Sequence, residues 1–148
     1  MRFTKYKVEL VKENAVNYGG KNFDINNAYQ LYKAMCDVYH MDRQTEEVLY
    51  VVCVDIKNRI IGVHEVSRGT IDASLVNQRE VFKRVLLNNA AKIFVVHNHP
   101  SGVTTPSNAD CMITNKIQKA GELLDIKLLD HIIIGDGEYY SFKENFKL

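Results

Sequence analysis

With 148 residues, the chain is long enough for one domain with a sizeable core. Hydrophobic residues at 46% and charged residues at 25% exclude a disordered or fibrous chain, and a formal net charge of +1 recommends neither nucleic acid nor an acidic membrane as partner. Cys36, Cys53 and Cys111 form no CxxC pair, which argues against a disulfide scaffold and a cysteine zinc ribbon, so any metal must be held mainly by histidine and carboxylate.

The N-terminus, "MRFTKYKVELVKEN", alternates with charge. With no long apolar run and no signal-peptide pattern, this predicts a cytoplasmic protein with no membrane partner. Residues 6–12 alternate well enough for a strand. Residues 24–42 then place Ala28, Leu31, Tyr32, Met35, Val38 and Tyr39 at helical spacing, with Asp24 or Asn26 as N-cap. The run "EVLYVVCVDI" (47–56) is continuously apolar and β-branched, as in a strand covered on both faces. After a turn at 57–59, residues 60–70 read as the returning hairpin strand. A helix is predicted over 77–90, with Val81, Val85 and Leu86 on one face, and a short buried strand over 92–99. A long helix follows over 107–125, and 126–142 form a second hairpin with "GDG" at its turn. Strands alternating with helices, without linker or repeat, predict an α/β fold: a mixed sheet sandwiched by helices in one domain over 1–148. Residues 1–45 would be an N-terminal strand and helix extension, and 46–148 a motif-bearing core.

The chemistry concentrates in "HNHPSGVTTPSNAD", 97–110. His97 and His99 lie two apart at a strand end, so both imidazoles share one face, with Cβ atoms roughly 7 Å apart. Asn98 must point the other way. Asp110, in the first turn of the following helix, can look back at the strand end. Two histidines and one carboxylate leave a fourth tetrahedral position open, the arrangement of catalytic rather than structural zinc. Taken alone, Ser107 and Asp110 are better explained as an S-x-x-D capping box, which needs no metal. A hydrolytic site also needs a base. In "IIGVHEVS", Ile61, Val63, Glu65 and Ser67 share a strand face by alternation, and a carboxylate among apolar neighbours would have a raised pKa. The plainer alternative is that Glu65 lies at a frayed, solvated strand end. His64 faces oppositely, His131 reads as a satisfied core or sheet-edge histidine, and Cys111 as packing.

His97-x-His99, seven residues, Ser107, two residues and Asp110, with Glu65 upstream, resembles the JAMM (MPN+) motif of zinc-dependent isopeptidases and related metalloproteases. The blocks "RGTIDASLVNQREVFKRVLLNNAAKIFVVHNHPSGVTTPSNAD" and "LLDHIIIGDGEYYSF" are more closely similar to the RadC family of JAB-domain proteins, over roughly Glu47 to Phe142. The resemblance implies a JAB/MPN (cytidine-deaminase-like) architecture and Zn2+ held by His97, His99 and Asp110. It also implies Glu65 as general acid/base, Ser107 as the hydroxyl that helps hold an oxyanion, and a peptide or protein substrate. Gln78-Arg79-Glu80 stands where the family usually has Pro-Arg-Glu, a change remote from those ligands. Residues 1–45 lack the Gly-rich hairpins of the family's helix-hairpin-helix module, so a stand-alone JAB domain is expected. The alternative function is that of a DNA repair-associated RadC-like protein acting through nucleic acid or protein binding. It is suggested by the family name, with only Arg79, Lys83, Arg84 and Lys92 as local positive charge. The substrate and the oligomeric state are not legible.

Overall fold

A computed structural model describes residues 1–20, 23–69 and 76–148. Three helices, a 3-10 turn and five strands are present among them. Helix α1 (Ala28–Tyr39) starts one turn later than the periodicity predicts, because Asn27, rather than Asp24 or Asn26, turns its side chain back to accept from Gln30 N. It ends at His40, whose left-handed φ of 52° closes the helix, and the 3-10 turn Met41–Arg43 follows. Strand β1 (Val48–Val54) is buried at every position, as a β-branched run covered on both faces should be. It returns through the turn at 55–59 into β2 (Ile60–Arg68). The strand expected to reach Thr70 thus ends at Arg68, and Thr70, like most of "GTIDAS", lies outside the described residues. Helix α2 (Gln78–Leu87) begins at the Asn77 cap, and β3 (Lys92–Asn98) leads to the histidine loop. Helix α3 (Asn108–Leu123), strand β4 (Lys127–Ile134) and the short β5 (Tyr139–Ser141) complete the order.

The strands form one mixed sheet in the order β2-β1-β3-β4-β5. Only β3 and β4 run parallel, joined across the sheet by α3, while the other pairs are antiparallel. One face packs against α1, where Leu31 and Met35 meet Tyr50, Val52, Val96 and Ile132. The other face packs against α2 and α3, where Val81, Val85, Ile113 and Ile117 cover Val51 and Val95. This is the predicted α/β layering, and it leaves the C-terminal end of β3 opening between α3 and the start of β1. The N-terminal strand expected over 6–12 is not formed: residues 1–17 carry no regular secondary structure and are exposed. Alternation alone does not make a strand, which needs a neighbour to satisfy its backbone, and none of the sheet's strands pairs with this segment.

No helix among the described residues is long and apolar enough to cross a membrane.

Candidate metal centre

Parity along β3 sets the site. His97 and His99 turn to the α3 side of the sheet, and Asn98 turns to the α1 side. The Nε2 atoms of His97 and His99 approach to 3.0 Å. Asp110 Oδ1 lies 3.1 Å from His97 Nε2, and Asp110 Oδ2 lies 3.4 Å from His99 Nε2. Four donors bound tetrahedrally at ~2.0–2.1 Å lie about 3.3 Å from one another, so these three separations match one zinc-sized cation.

The protonation pattern points the same way. Thr114 Oγ1 donates its single proton to Asp110 O at 2.6 Å, so toward His131 Nδ1, also at 2.6 Å, it must accept. His131 therefore carries its proton on Nδ1 and accepts on Nε2 from His97 Nδ1, 2.8 Å away. In a neutral imidazole, that leaves His97 Nε2 bare. His99 Nδ1 donates to Val103 O at 2.7 Å, which bares its Nε2 as well. Two lone pairs and a carboxylate facing one another repel unless a proton or a cation lies between them. The titration shifts report this demand. The Asp110 hydrogen bond holds His99 above the ordinary histidine value against the opposing effect of burial. Burial would raise Asp110, but the two histidines and Ser107 keep its carboxyl far below the usual carboxylate range. His131, fully buried, is driven well below the ordinary histidine value by burial and by the neighbouring His97.

Ser107 stands beside the cluster rather than in it. Its backbone N and its Oγ both donate to Asp110 Oδ2 at 2.7 Å, and its Oγ accepts from Asp110 N at 3.1 Å. The capping box is complete, so Asp110 serves the helix end and faces the histidines at once. One role does not displace the other: the capping box and the approach to the histidines coexist.

Glu65 is not brought to the histidines. Glu65 pairs with Tyr50 across the β1–β2 ladder, whereas Leu49 pairs with both His97 and Ser67. The bulge between these pairs, at Val66, makes two residues of β2 oppose one of β1 and turns Glu65 to the α1 face. There it is exposed and gripped by Arg68 through Nε and Nη2 at 2.9 and 2.8 Å, with Tyr50 Oη donating at 3.2 Å. The Arg68 guanidinium lowers the Glu65 pKa, opposite to the raised value that an apolar strand face would produce.

Glu47 stands there instead. Two residues before Leu49 and on the same face, it places Oε1 3.7 Å from His99 Nε2 and 3.9 Å from His97 Nε2. Glu47, His97, His99 and Asp110 offer ligand atoms that all lie within 4.8 Å of one another. Sequence reading missed Glu47, and its only signal was a carboxylate directly before the buried strand. The spacing to the upstream acid is not fixed, so nothing local separates Glu47 from Glu46 or Glu65. His131 proves to be a buried partner of His97, and Cys111 is half-buried beside Asp110 without a disulfide.

A polar cleft of about 200 Å³ opens next to His99, walled by Gln44, Pro100, Ser101, Gly102 and Asp136. Three of the four basic residues singled out above are occupied locally: Lys83 and Arg84 share the Glu80 carboxylate, and Lys92 Nζ meets Ile56 O and Asn58 Oδ1.

Residues 25–147 match the model of the RadC-like JAB domain. A UPF0758 protein of Clostridioides difficile (strain 630) is 50% identical over 110 residues, covering 72% of this chain and 47% of the relative. A UPF0758 protein of Caldanaerobacter subterraneus subsp. tengcongensis is 39% identical over 140 residues, 95% of this chain and 59% of the relative. One from Chlorobium phaeovibrioides is 44% identical over 127 residues, 86% and 56% of the two chains. The chain thus spans about half the length of the curated relatives that it matches. A domain match over most of the chain, on a mixed sheet with the histidine pair at the end of a central strand, leaves one assignment: the chain belongs to the RadC-like JAB domain family.

Proposed function

We propose that this chain is a zinc-dependent hydrolase of the JAMM type that cleaves a peptide or isopeptide bond. The observation that carries the reading is the convergence of His97, His99 and Asp110 at tetrahedral donor spacing, with Glu47 beside them. His97, His99 and Asp110 would hold the ion. Zinc, when bound, supplies the Lewis acidity that makes water a nucleophile near neutral pH. Glu47, rather than Glu65, would take the proton of that water and return it to the departing amine, since it is, among the described residues, the one further carboxylate facing the cluster. Ser107 would donate to negative charge developing on the scissile carbonyl, at the cost of its hydrogen bond to Asp110.

Purified chain is expected to hold one zinc ion, measured by elemental analysis. His97→Ala should lose it, and Glu47→Gln should keep it while hydrolysis of any cleaved peptide or isopeptide falls by about 10² or more. A chain that takes up no zinc, or an E47Q variant as active as the wild type, is incompatible with the proposal.

A further inference from the structure

We propose that Asn98 is a positioning residue whose carboxamide sets the place of Glu47 over the histidine pair. The inference rests on the reading of Glu47 given above and extends it to the start of β1, which Glu47 directly precedes. The backbone pairing of β1 with β3 runs from Val54 opposite Lys92 to Leu49 opposite His97, where it ends. Beyond that point a side chain takes over. Asn98 Oδ1 accepts from Val48 N at 2.8 Å, and Asn98 Nδ2 donates to Glu46 O at 2.9 Å and leans on Gln44 O at 3.5 Å. The carboxamide, 2% exposed, gives one acceptor and one donor in a plane and so stands in for the peptide group that β3 no longer presents.

The groups it grips flank Glu47. On a strand, the C=O of one residue and the N–H two residues later point to the same side, and the residue between points its own groups the other way. Glu47 O accordingly accepts from Gly69 N at 2.9 Å on the β2 side, while Asn98 holds Glu46 O and Val48 N on the β3 side. With both sides held, the Glu47 side chain is directed to the histidine face. The same residue lies between His97 and His99 in the chain, so one carboxamide ties the ligand-bearing end of β3 to the segment that carries Glu47 into β1. A second grip comes from outside: Arg68, anchored by Glu65, reaches Gln44 Oε1 at 3.2 Å and Glu46 Oε2 at 3.5 Å. Asp at position 98 would set an oxygen against Glu46 O and Gln44 O, and Ala would leave Val48 N without its acceptor.

The test uses Co2+ as a spectroscopic probe in the full chain. Asn98→Ala should still take up one Co2+ and should alter the visible spectrum in the same sense as Glu47→Gln. The N98A/E47Q double variant should match E47Q alone. An N98A spectrum like that of the wild type, or an N98A change of equal size in the E47Q background, overturns the proposal, the second because it marks a general distortion. In the metal-free protein, the Val48 amide should exchange roughly ten- to a hundredfold faster in N98A, with Val51 and Val95 unchanged. An unchanged Val48 amide overturns the clamp. Should N98A not fold, Asn98→Asp keeps the acceptor for Val48 N. It should then shift the Co2+ spectrum toward that of E47Q with Val48 still protected, and a wild-type spectrum counts against the clamp. Failure of the wild type to bind Co2+ or Zn2+, or an E47Q spectrum identical to that of the wild type, overturns the hydrolase reading instead, and amide exchange then decides the clamp.

Discussion

Thr114 has one hydroxyl proton, and where it goes decides the state of two histidines. Because it is given to Asp110 O, His131 must donate from Nδ1, and a neutral His97 then presents Nε2 bare. Replacing Thr114 by Val keeps the shape and removes the acceptor for His131 Nδ1, inside a region where Thr114 is 3% exposed and His131 is wholly buried. His131 is then free to take the other tautomer, which would put a proton on the His97 nitrogen needed for a metal. Thr114→Val should weaken zinc binding by about 10- to 100-fold, as loss of an outer partner of a ligating histidine does, with competition against a chelator as the measurement. The unsatisfied His131 should also cost about 1–3 kcal/mol of stability in a urea melt.

At the scale of elements, the two glutamates separate cleanly. Glu65 belongs to an exposed ion pair at a sheet edge, where solvent screens the charges, and such pairs contribute little. Glu65→Gln should therefore keep both zinc content and a melting temperature close to wild type, and any hydrolytic activity should persist where Glu47→Gln removes it. Loss of activity in E65Q with activity retained in E47Q would return the base to Glu65. Much of this level was legible beforehand. The fully buried β1, the two helices over the α3 side of the sheet and the S-x-x-D helix start follow from periods of 2 and 3.6 and from capping chemistry, all of which are local. Glu65 was misplaced because alternation counts residues from within one strand. The bulge at Val66 adds a residue relative to the partner strand, and it exists only in the pairing of β2 with β1. The segment over 6–12 failed for a related reason: its pattern is that of a strand, but no edge receives it.

The whole molecule decides whether the histidine loop is held at all. After His99 the chain turns at Gly102, with φ of 81°, and lays Gly102 O against the β4–β5 turn, where Asp136 N donates to it at 3.2 Å. Gly135 makes this approach possible, since a Cβ there would stand 2.2 Å from Gly102 O and 2.6 Å from Thr104 Cγ2. The obstacle includes a backbone carbonyl, so the loop must move. Gly135→Ala should cost about 1–3 kcal/mol in stability and weaken zinc binding roughly tenfold by shifting His99. Unchanged affinity in calorimetric titration would show that the loop is held from elsewhere.

By itself the sequence determined the elements from α1 onward, the layering and three of the converging side chains. His97, His99 and Asp110 are tied to one another by a short loop and by local strand and helix geometry, so their spacing carries their meeting. Tertiary structure alone decided which carboxylate joins them, which face Glu65 takes and which proton each histidine keeps. Glu47 is fifty residues from His97 in the chain, and their approach depends on strand pairing, a bulge and the carboxamide of Asn98. Those are long-range hydrogen bonds, and no local period records them.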